Sequence, residues 1–242
     1  MIKLITKNKK TFLIILSIYA FFSLSDLALA QVTQTTTEKI ANSLIINWQA
    51  NNFAPSTYQG KLLPTNGSIV SLSILGKIGN KIMDLSDALI MWYLDEEFLT
   101  GGLGQTDIQF KVTKTANNFY LIKVNVTLPQ QNGSSQFFSQ GVRIPIANPQ
   151  TVINVPYASI QSNTPVFISA VPYFFNIQSI NDLSFDWEII TPIETQKVKG
   201  DNKIIINTNE YLKGKPINIS LKTQNTKSLF EFSKSQITIY VQ

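Results

Sequence analysis

The sequence of 242 residues contains no cysteine and no histidine. Without cysteine there is no disulfide bond, no thiolate zinc site and no cysteine nucleophile. Without histidine, a Ser-His-Asp triad, imidazole metal ligands and the usual acid–base group that titrates near neutral pH are all excluded. Charged residues are also scarce, at 14% of the chain. We therefore predict a protein that is not an enzyme, with no catalytic residue, no cofactor and no metal ion.

The chain is instead rich in apolar residues, which make up 44% of it, and this is too apolar for a disordered protein. Its first ten residues carry four lysines and no acid, Thr11 to Leu24 is almost continuously apolar, and Ala28-Leu29-Ala30 precedes Gln31. This order is typical of a secretory signal peptide that is cleaved after Ala30. The alternative is an uncleaved anchor, for which the apolar run is short, since a spanning helix needs about 20 residues.

Cleavage of the predicted signal peptide changes the net charge of the mature protein, and export predicts where that protein is located. Residues 1–30 hold four lysines and Asp26, so cleavage leaves 16 basic and 14 acidic residues (20 − 4 and 15 − 1) and a net charge of +2 instead of +5. Because this excess is small, we predict no nucleic-acid partner. We expect a secreted, cell-surface or periplasmic protein that contacts the membrane only through its signal helix before cleavage. A protein or a cell-surface polymer is the expected partner.

An internal repeat organises the rest of the chain. Trp92 and Trp187 lie 95 residues apart, and apolar positions on the flanking segments keep the same offset. A fixed period of self-similarity indicates a repeated folding unit. The further matches predicted at this offset pair Ile122, Val124 and Val126 with Ile217, Ile219 and Leu221, Phe137 with Phe232, and Val142, Ile144 and Ile146 with Ile237, Ile239 and Val241.

Each copy alternates apolar and polar residues with the period of two that is typical of strands. The predicted strands are 44–48, 68–75, 88–94, 108–112, 121–127 and 142–146 in the first copy, and 151–154, 166–171, 183–189, 203–207, 217–223 and 236–241 in the second. Gly101-Gly102 is interpreted as a turn, and residues 81–88 as a possible site for one helical turn. We predict a signal peptide over 1–30 and two antiparallel β-sandwiches over 31–148 and 149–242, joined by a short hinge at Ala147-Asn148-Pro149-Gln150.

About 95 residues with a central tryptophan on the third strand fit an immunoglobulin-like sandwich. Residues 89–93 with Gly101–Gly104, and residues 183–187, resemble the tryptophan strand of PKD and related bacterial Ig-like domains. Over residues 45–242 the chain also resembles a family of uncharacterised exported proteins from small-genome candidate-phyla bacteria. The matching stretches are Asn47–Asn51, Ala54–Pro64 and Val171–Phe175. This resemblance implies the fold and export, and it brings no activity.

The sequence offers few groups for chemistry. Asp95-Glu96-Glu97, with Asp84 and Asp87 nearby, is the one tight acidic cluster. It lacks the ordered spacing of a calcium loop, so a solvated turn is favoured over a metal site. Adjacent acids on one turn also lack the opposed carboxylate that a glycosidase needs. Gly101-Gly102-Leu103-Gly104 is not followed by Lys-Ser/Thr, so it is not predicted to bind phosphate.

Two other groups of residues remain candidates for binding. Tyr173-Phe174-Phe175 is a run that alternation cannot bury on one face, and Tyr58 and Trp48 precede the first core. Such aromatics either mark a partner surface or fill the sandwich ends and the contact between modules, and the second interpretation is favoured. The scattered lysines, among them Lys197, Lys199 and Lys203, are interpreted as a solvated face or a protected edge.

Three functions are open at this point. The preferred one is an exported, non-enzymatic structural or adhesion module of two Ig-like domains. The first alternative is a pilus or secretion-system assembly factor, in which the strand Val142–Ile146 would lend apolar side chains to a client by strand addition. A hydrolase that uses only carboxylates is the second alternative, and it is the least favoured.

Overall fold

The computed structural model describes residues 42–131, 133–157 and 159–242, so the predicted signal peptide lies outside the described residues. Within this part the chain forms sixteen strands and two short 3-10 turns. None of its helical segments is long and apolar enough to span a membrane. The strands are β1 Asn42–Ala50, β2 Ile69–Ile78, β3 Lys81–Met83, β4 Leu89–Leu94, β5 Glu97–Leu103, β6 Asp107–Lys111, β7 Phe119–Pro129, β8 Ser135–Pro145, β9 Gln150–Asn154, β10 Ser159–Ile160, β11 Pro165–Tyr173, β12 Leu183–Ile190, β13 Thr195–Lys199, β14 Lys203–Asn207, β15 Pro216–Asn225 and β16 Phe232–Val241.

The first eight strands form one sandwich. In one sheet β2 pairs with β1, β3 and β6, and the other sheet has the order β5-β4-β7-β8, with every pairing antiparallel. The inward positions of both sheets meet in a single core that includes Trp92, Ile90 and Val124. This core forms because alternate residues of each strand point to the same face and are apolar.

The remaining strands form a second sandwich with a core of its own. Its sheets have the orders β14-β11-β9 and β10-β16-β15-β12-β13, and all pairings are antiparallel except the short parallel pair β10–β16. Its core includes Trp187, Phe185 and Ile219. Strands β9, β11, β12, β13, β14, β15 and β16 occupy the places that β1, β2, β4, β5, β6, β7 and β8 hold in the first sandwich. The fold is therefore all-β, with two immunoglobulin-like sandwiches in tandem.

The two tryptophans confirm the repeat at the level of single hydrogen bonds. Trp92 is fully buried, and its indole N–H donates to the carbonyl of Gln105 at 3.0 Å. Trp187 is 1% exposed and donates in the same way to the carbonyl of Asp201 at 2.9 Å. In both copies the accepting residue lies just before the strand of the opposite sheet. Each ring thus ties the two sheets together without the disulfide that many such domains carry.

One part of the predicted repeat is wrong by two residues. Trp92 pairs with Val124, whereas Trp187 pairs with Leu221, so Leu221 stands in the place of Val124 and the offset of this strand is 97 (221 − 124). The residues equivalent to Ile217, Ile219 and Leu221 are therefore Tyr120, Ile122 and Val124. A slip of two residues keeps every apolar side chain on the same face, so the apolar pattern does not detect it.

Two local predictions in the first copy are also wrong. Gly101 and Gly102 do not form a turn: they lie in β5, opposite Met91 and Ile90 of β4. A Cβ atom on Gly101 would lie 2.7 Å from the carbonyl oxygen of Ile90, so the close approach of the two strands requires glycine here. Residues 81–83 form β3 instead of a helical turn.

Candidate functional site

The two sandwiches meet at a seam, which we define as the contact of residues 51–67 of the first with residues 173–178 of the second. A main-chain bridge lies at its centre. The amide of Phe53 donates to the carbonyl of Phe175 at 2.8 Å, and the amide of Phe174 donates to the carbonyl of Phe53 at 2.7 Å. The half-buried side chain of Phe53 packs against the second core, although the residue belongs to the first sandwich. The seam therefore joins the sandwiches by backbone and side chain, in addition to the linker.

Buried polar groups surround this bridge. Asn52 is 5% exposed, and its side-chain amide donates to the carbonyl of Phe174 at 2.7 Å and to the hydroxyl of Thr65 at 2.9 Å. Asn176 reaches back from the second sandwich and donates to the carbonyl of Asn66 at 2.9 Å. Because a buried polar group that loses its partner is costly, these bonds favour one relative orientation of the sandwiches.

The predicted aromatic run lies at the same seam. Phe175 is fully buried in the second core, and Phe174 is 7% exposed. Tyr58 from the first sandwich packs edge-on against Tyr173 and Phe174, with ring centroids 5.6 and 5.7 Å apart. Phe174 adopts φ +64°, a conformation that costs energy for a residue with a side chain and is held here by the bonds on both sides of it. Of the aromatics predicted to fill the sandwich ends and the contact between modules, Tyr58 and Tyr173–Phe175 lie at this contact, whereas Trp48 is buried in the first core.

A buried carboxylate that the sequence did not reveal stabilises the loop next to the seam. Glu231 is 8% exposed and lies at the end of the β15–β16 loop. One carboxylate oxygen accepts from the amide of Asn176 and the other from the side chain of Asn225, each at 2.6 Å. Such short, charge-assisted bonds are strong. They hold the loop in a form that leaves Phe230 96% and Leu229 73% exposed.

The outer face of the sheet β5-β4-β7-β8 carries the most apolar exposed surface of the first sandwich. Its exposed members include Leu103 at 74%, Phe137 at 63% and Phe98 at 60%. Tyr93 packs edge-on against Phe98, with centroids 5.9 Å apart. We call this surface the apolar face and define it by Leu89, Met91, Tyr93, Phe98, Leu103 and Phe137. An exposed apolar patch on a sheet is a candidate for contact with another molecule.

The equivalent sheet of the second sandwich has a different outer face. A shallow trough crosses its strands β13, β12, β15 and β16. We call this trough the basic trough. The charged residues that line it are four lysines and two acids: Lys197, Lys199, Lys222, Lys234, Asp186 and Glu188. The two repeats are thus alike in their cores and unlike on this one face.

The acidic cluster forms a tight turn. Asp95 and Glu96 have φ values of +51° and +72° and connect β4 directly to β5, which is the backbone of a type I′ hairpin turn. The Asp95 carboxylate pairs with Lys114 at 2.6 Å and accepts from the amide of Leu121 at 3.0 Å. Among the described residues, no three acidic side chains converge on a point that could hold a metal ion. The carboxylate of Asp95 is thus engaged within the protein.

The strand proposed to lend apolar side chains to a client uses them in its own domain. Ile144 is fully buried and Ile146 is 5% exposed in the first core, and Val142 packs against the same core. Tyr120 and Ile122 of β7 pair with Ile144 and Val142 of β8, so one edge of the strand is occupied as well. Strand addition requires pockets or side chains that are free, so this segment does not favour the assembly-factor hypothesis.

No family model matches the chain, and a search of curated proteins finds no match. The resemblance to exported proteins of candidate-phyla bacteria therefore stays a prediction. Similar solved structures include the three N-terminal domains of the Highly Immunogenic Outer Capsid protein (Hoc) of bacteriophage RB49, with 12% identity, 82% of this chain covered and a TM-score of 0.39. The chain spans 59% of the length of that structure.

Two further solved structures are similar to this chain. The fibronectin(III)-like modules of Clostridium thermocellum CbhA share 12% identity over 83% of this chain and 94% of theirs, with a TM-score of 0.27. The amphioxus IgVJ-C2 molecule shares 9% over 74% of this chain and 99% of its own, with a TM-score of 0.30. At such identities the likeness concerns the fold alone, and the strand orders described above carry the assignment to tandem Ig-like sandwiches.

Proposed function

We propose that this protein is an exported, non-enzymatic surface module with a structural or adhesive role, in which two Ig-like domains act as one stiff unit. The seam is the observation that supports this most directly. A protein that only displays two independent domains needs no buried bond between them, whereas this chain holds them by a main-chain bridge at Phe53–Phe175 and by Asn52. A fixed orientation lets a surface module present its faces at a constant distance and angle.

The distribution of exposed groups supports the same function. The exposed large apolar residues lie on sheet faces and in loops, outside the two cores. Flat faces of this kind bind other surfaces or polymers, while small-molecule chemistry usually takes place in enclosed pockets. The partner class predicted from the sequence, a protein or a cell-surface polymer, fits such faces.

The first experiment tests export. The full chain with a C-terminal tag is expressed in a Gram-positive and a Gram-negative bacterium, and the mature protein is recovered from the medium, the surface and the periplasm. We expect its N-terminus to be Gln31, because cleavage follows Ala30. Replacement of Ala28 and Ala30 by arginine is the matched control and should leave residues 1–30 attached. Intact wild-type chain that stays in the cytoplasm would contradict the proposal.

The second experiment tests the role. Intact cells are cross-linked, and the tagged protein is recovered with its partners, which are identified by mass spectrometry and by sugar analysis. We expect other surface proteins or wall polymer to be recovered with it. The purified protein is also incubated with peptide and glycan libraries. Turnover of any of these that a single Asp or Glu substitution abolishes would overturn the non-enzymatic assignment.

A further inference from the structure

The basic trough places four side chains of one row side by side across the sheet. Asp186 pairs with Lys199 on one side and with Lys222 on the other, and Lys222 in turn pairs with Lys234. Asp186 and Lys222 point away from the core, since the residues on either side of each in its strand are buried. Lys199 and Lys234 share that face because they are the direct cross-strand partners of these two residues. Strands are spaced at about 4.8 Å, so this row extends for roughly 14 Å.

Charges in this row are not balanced. Lys199 approaches Asp186 at 3.9 Å and Lys197 approaches Glu188 at 3.2 Å, so both acids already have a basic partner. Lys222 donates to the side-chain oxygen of Gln224 at 2.7 Å. Lys222 and Lys234 therefore remain as two positive charges on directly opposite residues of neighbouring strands. Like charges in this arrangement destabilise a sheet.

Protection of a sheet edge explains only part of this pattern. Lys197 and Lys199 lie on β13, which is an edge strand, and lysine there discourages pairing with another chain. Among the described residues, β10 pairs with β16 only at Tyr240 and Val241, so Lys234 also lies at a strand edge, whereas Lys222 lies on β15, between β12 and β16. Edge protection needs no charge at the inner position of Lys222, so this residue requires another explanation.

The other copy of the repeat shows that the sheet itself does not need these charges. The pairings of the first sandwich place Gly101, Met91, Asn125 and Ser139 in the row equivalent to Lys199, Asp186, Lys222 and Lys234. That row contains no charged residue, and the sheet forms with the same strand order. The lysines therefore belong to the surface of the second sandwich and not to its fold.

We propose that the basic trough binds an extended anionic polymer, which crosses the four strands with its negative groups on Lys222 and Lys234. A linear polyanion fits because the positive groups lie along a row on an outer sheet face. An anion bound between Lys222 and Lys234 would also reduce the repulsion between these two lysines. The inference names a partner class for the proposed surface module, and its test is made on purified protein, so that its failure leaves the export experiments unaffected.

Binding is measured by titrating the purified protein with polygalacturonate, which carries carboxylates, and with long-chain polyphosphate, with dextran as the neutral probe. We expect one or both polyanions to bind and dextran not to bind. The affinity should fall steeply between about 10 mM and 150 mM salt, because the screening length drops from roughly 30 Å to 8 Å. Preference for one of the two polyanions assigns the negative group as carboxylate or phosphate.

Charge reversal at one lysine separates binding from folding. Lys234→Glu should weaken binding about tenfold or more at low salt, and its unfolding midpoint should be equal to or above that of the wild type, since it now opposes Lys222 with a negative charge. Lys203→Glu is the matched control: it makes the same change in net charge on an exposed residue at the start of β14, in the other sheet. Its binding should remain within about twofold of the wild type.

Two results would overturn the proposal. One is the absence of binding by both polyanions at low salt. The other is an equal loss of affinity in Lys234→Glu and Lys203→Glu, because binding would then follow net charge instead of the trough. A Lys222→Gln variant removes one positive charge but keeps a long polar side chain, so its fold should be undisturbed. We expect it to lose part of the affinity for the polyanion, which would show that the loss in Lys234→Glu is not caused by misfolding.

Discussion

Truncation of Phe53 tests whether the seam couples the two sandwiches. Phe53→Ala removes the ring that packs against the second core but keeps both main-chain bonds of the bridge. Truncation of a fully buried phenylalanine to alanine costs about 3–5 kcal/mol, so the loss of a half-buried ring is expected to cost roughly 1–3 kcal/mol. All of this loss is expected in the contact between the sandwiches and little in the first core. If the contact between the sandwiches loses about 2 kcal/mol of stability, the population with an open seam rises by roughly 30-fold.

Amide hydrogen exchange measures this opening directly. The amides of Phe53 and Phe174 donate across the seam and are protected only while it is closed. In Phe53→Ala we expect both to exchange roughly 10- to 100-fold faster, whereas the amide of Val124 in the first core keeps its protection. Phe98→Ala is the control, because Phe98 is 60% exposed on the apolar face and has no contact at the seam. Unchanged exchange at Phe174, or equal acceleration in the control, would refute the reasoning.

Three further predictions concern stability. Glu96→Gly should stabilise the protein by about 0.5–1 kcal/mol in urea denaturation, because a φ of +72° strains glutamate and not glycine; destabilisation would contradict the turn. Trp92→Phe and Trp187→Phe should each cost about 1–3 kcal/mol by leaving a carbonyl unpaired, and a cost at only one would contradict the repeat. The bond from Lys227 lowers the pKa of Asp182, so its stabilisation is fully present above the unfolded pKa and is lost as the pH falls through the lowered pKa. Asp182→Asn should therefore destabilise the protein at pH 6, and the difference from the wild type should shrink as the pH is lowered in acid; a difference that does not change with pH would contradict this.

Most of the fold follows from the alternation of apolar and polar residues. Twelve strands were predicted, and each coincides with an observed one, because a half-buried strand must place apolar residues at every second position. The missed strands lack this pattern. Strand β13 is exposed along its whole length, β5 contains the glycine pair, and β3 and β10 are only three and two residues long.

The candidate surfaces were harder to predict. The apolar run Tyr173–Phe175 was visible in the sequence, but its partners Phe53 and Tyr58 are more than a hundred residues away. The row of the basic trough is likewise formed by residues of four different strands, so its lysines look scattered along the chain. Glu231 gave no signal because an isolated glutamate in a loop is ordinarily exposed.

Sequence patterns are enough to predict the all-β class, the tandem repeat and the two tryptophan-centred cores, because burial imposes a pattern on the residues of each strand separately. The structure is needed to align the residues of β7 with the equivalent residues of β15 in the repeat. It is also needed to find the seam and to see which side chains lie together on the outer face of each sandwich. A slip of two residues leaves the apolar pattern unchanged, and contacts between loops or across a sheet depend on which strands become neighbours. These are relations between distant residues, and no local periodicity records them.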